Sequence, residues 1–147
     1  MKKFVFTLEK VLNYKKQILE VQKNEMAQLQ ANRNELDARI EALELRFRNL
    51  GEELDARLSD GLSTGEALDC KSFQSELMRQ IRLLREKREQ LLELIARKRQ
   101  EIIRMNGDIS GLERLKDRQW DDYRKLCGKE QELAVEEFVG RSRCSAG

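Results

Sequence analysis

The sequence predicts an all-α fold: a long two-helix antiparallel coiled-coil hairpin, rod-like, with a C-terminal helical overhang. Three observations predict it. The 147 residues include no proline, 38% of them are charged, and two seams of apolar residues run at heptad spacing. Proline removes a helix hydrogen bond and clashes with the preceding turn, so its absence favours long helices. Sustained heptads are typical of coiled coils rather than of ordinary amphipathic helices.

The first seam predicts a long helix over residues 1–58. Its positions alternate in steps of three and four from Val5 to Leu54, and twelve of the fifteen are apolar. The polar members are Lys15, Gln22 and Arg33. With a rise of 1.5 Å per residue, the helix from Val5 onward would be about 80 Å long.

Residues 59–72 are predicted to form a turn, with room for a short helical piece. The segment Ser59–Gly65 holds two glycines with Asp and Ser, which is a turn signal. Ser63 and Glu66 match a capping box, so the second helix is expected to start between Thr64 and Ser72. A short connection between two long helices makes them antiparallel neighbours.

The second seam predicts a helix over residues 73–139, followed by a disordered tail over residues 140–147. Twelve of its seventeen positions between Leu77 and Leu133 are apolar. The segment Met105–Gly111 contains an Asn-Gly pair and a second glycine, which favours a turn. The seam nevertheless keeps its phase on both sides of this segment, so we expect a continuous but locally weak helix.

The charge pattern supports pairing of the two helices. Residues 31–60 carry eight acids and five bases, whereas residues 70–99 carry nine bases and four acids. The bases would also suit a phosphate-binding stripe, but no aromatic residues alternate with them to stack on bases. With a net charge of only +2, the chain is not expected to bind nucleic acid.

The composition argues against an enzyme. The chain has no histidine, which removes Ser-His and Cys-His nucleophile pairs and imidazole metal ligands. Its three cysteines show no C-x-x-C spacing, so we expect no catalytic residues, no metal site and no cofactor. No apolar run is long enough to span a bilayer, and the expected location is the cytosol.

The two predicted helices differ in length, and this difference predicts an uncovered end. If the chain folds back at the turn, Val5 lies opposite roughly residue 125, by equal rises along both helices. Residues from about Leu126 to Phe138 then have no partner within the chain, although Leu133 and Ala134 are apolar as well. An uncovered apolar stripe favours a partner protein, and the alternative interpretation is a frayed end.

The chain resembles the flagellar export protein family FliJ over nearly its whole length. The start, Phe4-Val5-Phe6-Thr7-Leu8-Glu9-Lys10-Val11-Leu12, is similar to the family's Phe-x-Phe-x-Leu-Glu-x-Val-Leu opening. The segment Leu112-Glu113-Arg114-Leu115-Lys116-Asp117-Arg118 resembles a Leu-Glu-Lys-Leu-Lys-Glu-Arg motif. Glu130 and Leu133 with the pair Glu136-Glu137 resemble its acidic C-terminal signature, in which an Asp-Glu pair is usual.

The resemblance implies a soluble stalk component of the flagellar type III export apparatus, in the cytoplasm and peripherally associated with the membrane at the flagellar base, without inserting into it. Its implied partners are the hexameric export ATPase, whose ring it enters and helps to assemble, the membrane export-gate protein and the export chaperones. The residues implied to contact the ATPase are Phe4, Leu8, Val11, Leu12, Leu126, Leu133 and Phe138. Those implied to contact the gate are Leu43, Phe47, Phe73 and Leu77; three of these lie on the seams, where an ordinary core role competes.

Two other functions fit the same residues. One is the equivalent stalk protein of a virulence-type secretion system, and the other is a structural coiled coil that forms a homodimeric spacer. A homodimeric spacer would not need the N-terminal Phe-x-Phe motif.

Overall fold

The computed structural model describes residues 2–146, and the side chains of residues 2–143. Helix α1 spans Glu9–Asp60 and helix α2 spans Thr64–Ala146, with no strand among the described residues. The two helices form an antiparallel hairpin, which confirms the predicted fold class. Met1 and Gly147, which fall in the predicted first helix and tail, lie outside the described residues.

The helix bounds differ from the expected ones at three places. Helix α1 begins at Glu9 rather than near residue 1, and residues 2–8 form a non-helical arm that ends in a turn. The connection is only residues 61–63, so α2 already covers most of the segment assigned to a turn. Helix α2 also continues over residues 140–146, where a disordered tail was expected; this segment holds no proline that would stop a helix.

Two residues account for the short connection. Gly61 has a φ of 94°, in the left-handed region that glycine adopts without steric cost, and its N–H bonds the carbonyl of Leu58 at 3.4 Å. The Ser63 hydroxyl then accepts a hydrogen bond from the N–H of Glu66 at 3.3 Å, as an N-cap does. The predicted cap at Ser63 is therefore present, and it starts α2 at the earliest expected position.

The hairpin divides into two compact units. The loop unit is Val21–Ile102, and the terminal unit combines Met1–Glu20 with Ile103–Gly147. In the loop unit, residues later in α1 pair with residues earlier in α2, as an antiparallel arrangement requires. The ion pairs are Glu25–Lys98 at 2.5 Å, Asp37–Arg88 at 3.5 Å and Glu44–Arg85 at 2.6 Å. The acids of α1 therefore meet the bases of α2, as the charge pattern predicted.

The seams form the core of each unit. Every first-seam position from Leu8 to Leu54 is buried or half-buried, as is every second-seam position from Leu77 to Tyr123. Ile109 is 7% exposed and lies within the continuous helix, so the glycines at 107 and 111 do not break α2. Val5 is the exception: it is exposed, and Phe6 is buried in its place because the arm is not helical.

Candidate functional site

The arm of residues 2–8 folds against α2 through an aromatic cluster of Phe4, Trp120 and Tyr123. The Phe4 ring meets Trp120 edge-on at 5.1 Å between centroids and lies 5.5 Å from Tyr123, while Trp120 and Tyr123 stack at 5.7 Å. Aromatic pairs in edge-on or stacked arrangements stabilise the fold beyond the burial of their apolar area. The first aromatic residue of the Phe-x-Phe motif therefore holds the arm on α2.

Tyr123 also fixes the start of the arm. Its hydroxyl donates a hydrogen bond to the backbone carbonyl of Lys2 at 2.5 Å. The pKa of Tyr123 is raised, chiefly by a hydrogen bond with Cys127, then by burial and by the nearby charges of Cys127 and Glu130. The phenol is neutral at physiological pH even with its ordinary pKa of about 10, so it is able to donate this hydrogen bond.

Ion pairs align the remainder of the terminal unit. Glu9 pairs with Lys116 at 2.8 Å, and Lys15 pairs with Asp108 at 3.0 Å. All four side chains are partly exposed, and pairs of this kind contribute between about 0 and 1 kcal/mol each. Their main effect is to set the register between α1 and α2 rather than to add much to the stability of the fold.

The rest of the chain covers α2 only as far as about Tyr123. Cys127 is half-buried, and every residue from Gly128 to Arg143 is exposed. We call residues 128–143 the overhang. Leu126, just before it, is 61% exposed, and Phe138 within it is 72% exposed. The predicted C-terminal overhang is therefore present, and it carries apolar side chains that the described chain leaves uncovered.

The residues implied to contact an ATPase fall into two groups. Val11, Leu126, Leu133 and Phe138 are exposed. Leu12 is 1% exposed and belongs to the core, while Leu8 is half-buried and Phe4 lies in the aromatic cluster. The N-terminal candidates thus mainly pack the terminal unit, and the exposed surface of the site is chiefly C-terminal.

The residues implied to contact an export gate lie in the loop unit. Leu77 is 3% exposed and belongs to the core, whereas Leu43 and Phe47 are half-buried on the seam. Phe73 is exposed, and the guanidinium of Arg46 lies 5.1 Å from its ring centre, in cation–π contact. Phe73 is the only exposed residue of the four.

Sequence reasoning missed the partners of the arm. It placed Tyr123 on the seam but assigned nothing to Trp120, and it expected Val5 rather than Phe6 in the core. The signal was present, since two aromatic residues three apart face one side of a helix near the residue expected opposite Val5. It also overlooked Val135 and Val139, which are exposed beside Phe138.

The described residues hold no group of three or more Cys, Asp or Glu side chains placed to bind a metal ion. Neither helix contains, over its described part, a stretch apolar enough to cross a membrane. The accessible chemistry at both ends of the hairpin is that of apolar and charged side chains on helices, which suits protein binding.

One comparison with known proteins gives a match. The family model described as "Flagellar FliJ protein" matches residues 4–143 of the chain. No curated protein and no solved structure matches it significantly.

Proposed function

This chain belongs to the flagellar FliJ protein family, and from that premise we propose that it is the stalk component that binds within the ring of the flagellar export ATPase. Family membership indicates a component of the flagellar export apparatus. In this proposal the chain contacts the ATPase, promotes assembly of its ring and couples it to the export gate and to export chaperones. The chain acts in it as a non-catalytic regulator in the cytoplasm, peripherally associated with the membrane at the flagellar base.

The observation that carries the proposal is the overhang. Helix α2 continues for residues 128–143 with every described side chain exposed, and it includes large apolar residues such as Leu133 and Phe138. Contiguous exposed apolar groups mark sites of protein interaction. A partner that covers this segment would bury apolar surface that the hairpin itself cannot cover.

The gate contact is assigned to the exposed ring of Phe73 in the loop unit. Of the other three residues implied for this contact, Leu43 and Phe47 are half-buried on the first seam and Leu77 is a core residue. Aromatic residues are common anchors of protein interfaces because they bury a large area at a small entropic cost. Arg46 against the Phe73 ring adds a donor for a carboxylate or carbonyl of the partner.

The test combines Leu133→Asp with Phe138→Asp. Neither side chain is buried in the chain, so circular dichroism should show an unchanged helical content and melting temperature. Stimulation of ATP hydrolysis by the export ATPase should be lost, because two anchors worth about 2 kcal/mol each correspond to roughly a thousandfold in affinity.

The matched control replaces two exposed leucines of the loop unit, Leu45→Asp with Leu68→Asp, and should leave stimulation intact. Phe73→Ala provides the contrast: it should keep ATPase stimulation and lose binding to the gate protein. Full stimulation by a folded Leu133/Phe138 double variant would show that the overhang is not the ATPase contact.

A further inference from the structure

One flank of the loop unit has two surface cavities between α1 and α2. The larger has a volume of about 530 Å³ and is lined on its α2 side by Leu94 and Arg97, among others. The smaller, of about 170 Å³, is lined on that side by Leu83 and Lys87. Lys87 and Leu94 are seven residues apart, so both cavities belong to the same flank of the seam. We call this surface the basic flank; it consists of Leu83, Lys87, Gln90, Leu94 and Arg97 on α2, with Leu29 and Arg39 on α1.

The basic flank carries two exposed leucines that lie in line with each other. Leu83 and Leu94 are eleven residues apart, which is three helical turns to within about 20°, and about 16 Å along the axis. Both side chains are exposed, and the half-buried Leu29 of α1 lines the larger cavity together with Leu94. These leucines form an apolar row that the hairpin itself does not cover.

The charges of the basic flank are not balanced. Arg39 and Lys87 line the smaller cavity from opposite helices, and Arg97 lines the larger one. Among the described residues, none of these three cations forms an ion pair or a hydrogen bond. Over residues 28–42, Glu35 is the one acid that α1 places on this flank. Like charges that line one cavity repel each other, so an acidic partner would relieve this repulsion.

The opposite flank of the same seam has complementary charges. Glu44 pairs with Arg85 there, and Asp37 pairs with the seam residue Arg88. At the border of the larger cavity, Lys98 pairs with the two acids that line it. The two helices therefore neutralise each other on one flank, whereas on the basic flank they leave cations of both helices without a partner.

We propose that the basic flank binds an acidic amphipathic helix of a partner protein. The apolar side of this helix covers Leu83 and Leu94. Its carboxylates pair with Lys87 and Arg97 of α2 and with Arg39 of α1. The partner helix lies along α2, because the two leucines follow the axis of α2.

This site goes beyond the proposed function, since neither the overhang nor Phe73 takes part in it. Leu43, one of the residues implied for the gate contact, lines the smaller cavity. The test is therefore centred on Leu94 and Arg97 of the larger cavity, which none of the contacts proposed above uses.

Three other occupants fit the basic flank less well. An extended peptide would find no backbone partners here, because α1 and α2 satisfy their own backbone groups internally. Membrane-surface helices lay one apolar face on the lipid, whereas these apolar residues line cavities between two helices. A second copy that docked through the same flank would bring the same unpaired cations together.

The experiment measures binding of a synthetic peptide to the full chain by isothermal titration calorimetry. The peptide has about 18 residues, or five helical turns, with leucines every three and four positions and glutamates on both sides of them. A matched peptide carries lysines in place of the glutamates. The acidic peptide should bind at least about tenfold more tightly than the basic one, because only its charges can pair with the three cations.

Variants locate the binding site. Leu94→Ser with Arg97→Gln should weaken binding of the acidic peptide by about tenfold, because it removes one apolar anchor and one cation. Leu45→Ser with Arg48→Gln is the matched control: these residues have the same spacing, are exposed on the outer side of α1 and should not matter. A photo-cross-linking residue at Gln90 should attach to the peptide, and one at Leu45 should not.

Several outcomes would overturn the proposal. Equal affinities for the two peptides would do so, as would unchanged binding by the Leu94/Arg97 variant or equal cross-linking from Gln90 and Leu45. Binding to anionic vesicles that depends on Leu94 and Arg97 would assign the flank to a membrane. A dimer that depends on the same two residues would assign it to a second copy. The Leu94/Arg97 variant should still stimulate the export ATPase, so the proposed function is tested separately.

Discussion

At the scale of single residues, burial on the seam decides which substitutions matter. Ile95 is 4% exposed in the core of the loop unit, whereas Glu93 is exposed two residues earlier on the same helix. Ile95→Asp would bury a charge without a partner and remove packing, which should lower the free energy of unfolding by about 3 to 5 kcal/mol. Glu93→Gln should change it little. Melting curves followed by circular dichroism test the pair, and the reverse ranking would refute the seam assignment.

Lys98 is one of three cations on the second seam, with Arg88 and Lys116. Its ammonium bonds Glu25 at 2.5 Å and Glu101 at 3.0 Å, and these two hydrogen bonds, that of Glu25 first, raise the pKa of Lys98. Because the pKa of Lys98 is higher in the folded chain than in the unfolded chain, its ammonium stabilises the fold at pH values below the ordinary lysine pKa. That stabilisation disappears as the pH rises through the raised value.

Lys98→Met should raise the melting temperature at neutral pH, because the methionine adds apolar packing to the seam and leaves Glu25 exposed to water rather than buried. The gap between variant and wild type should widen at alkaline pH, where only the wild type loses a stabilising ammonium. Lys87→Met, on an exposed lysine, is the control and should show no such widening. A gap that narrows at alkaline pH would contradict the role assigned to Lys98.

At the scale of elements, the same substitution should act with opposite signs in the loop and in α2. Gly61 has a positive φ, and an alanine there would be strained by about 1 to 2 kcal/mol although nothing lies within 4 Å of its Cβ. Gly107 lies in the helix with equally open space, so Gly107→Ala should stabilise by about 0.5 to 1 kcal/mol. Urea unfolding measures both, and stabilisation by Gly61→Ala would refute the loop conformation.

The two helices could be predicted because the heptad pattern of apolar residues repeats many times. Their ends were harder to predict, because each end depends on a few contacts. The heptad pattern keeps the same phase on both sides of Gly107 and Gly111. It therefore correctly predicted a continuous α2, despite the turn signal of that segment. The arm was not predicted, since the seam placed Val5 in phase with the helix. The packing of Phe4 on Trp120 and Tyr123, the hydrogen bond from Tyr123 to Lys2 and the burial of Phe6 favour a non-helical start over another helical turn.

The sequence predicted where the candidate site lies in the chain, but not which side chains form its exposed surface. The unequal lengths of the two helices gave the overhang, because rise per residue is the same for any sequence. The argument from unequal helix lengths grouped Leu133 with Phe138 as one apolar stripe, yet the two lie about 140° apart around the helix axis. Similarly, Leu12 and Leu77 were named as contacts from a resemblance, yet their burial in the core leaves no surface to offer a partner.

At the scale of the whole molecule, we expect a monomer. The seams are covered within one chain from Leu8 to Leu54 and from Leu77 to Tyr123, which leaves no uncovered seam over these stretches for a second copy to bind. Light scattering across a concentration series should therefore give the mass of one chain, 17.3 kDa. A stable dimer at low concentration would favour the homodimeric spacer instead.

The antiparallel pairing of distant segments has a consequence for the order of folding. The ion pairs that join the two helices in the loop unit link residues 41 to 73 positions apart, whereas Lys15 and Asp108 are separated by 93 positions and Lys2 and Tyr123 by 121. Closing the longest loops first costs the most chain entropy, so zippering from the short connection is the cheapest route. We therefore expect the terminal unit to form last, so that the end that presents the overhang completes its fold after the loop unit has closed.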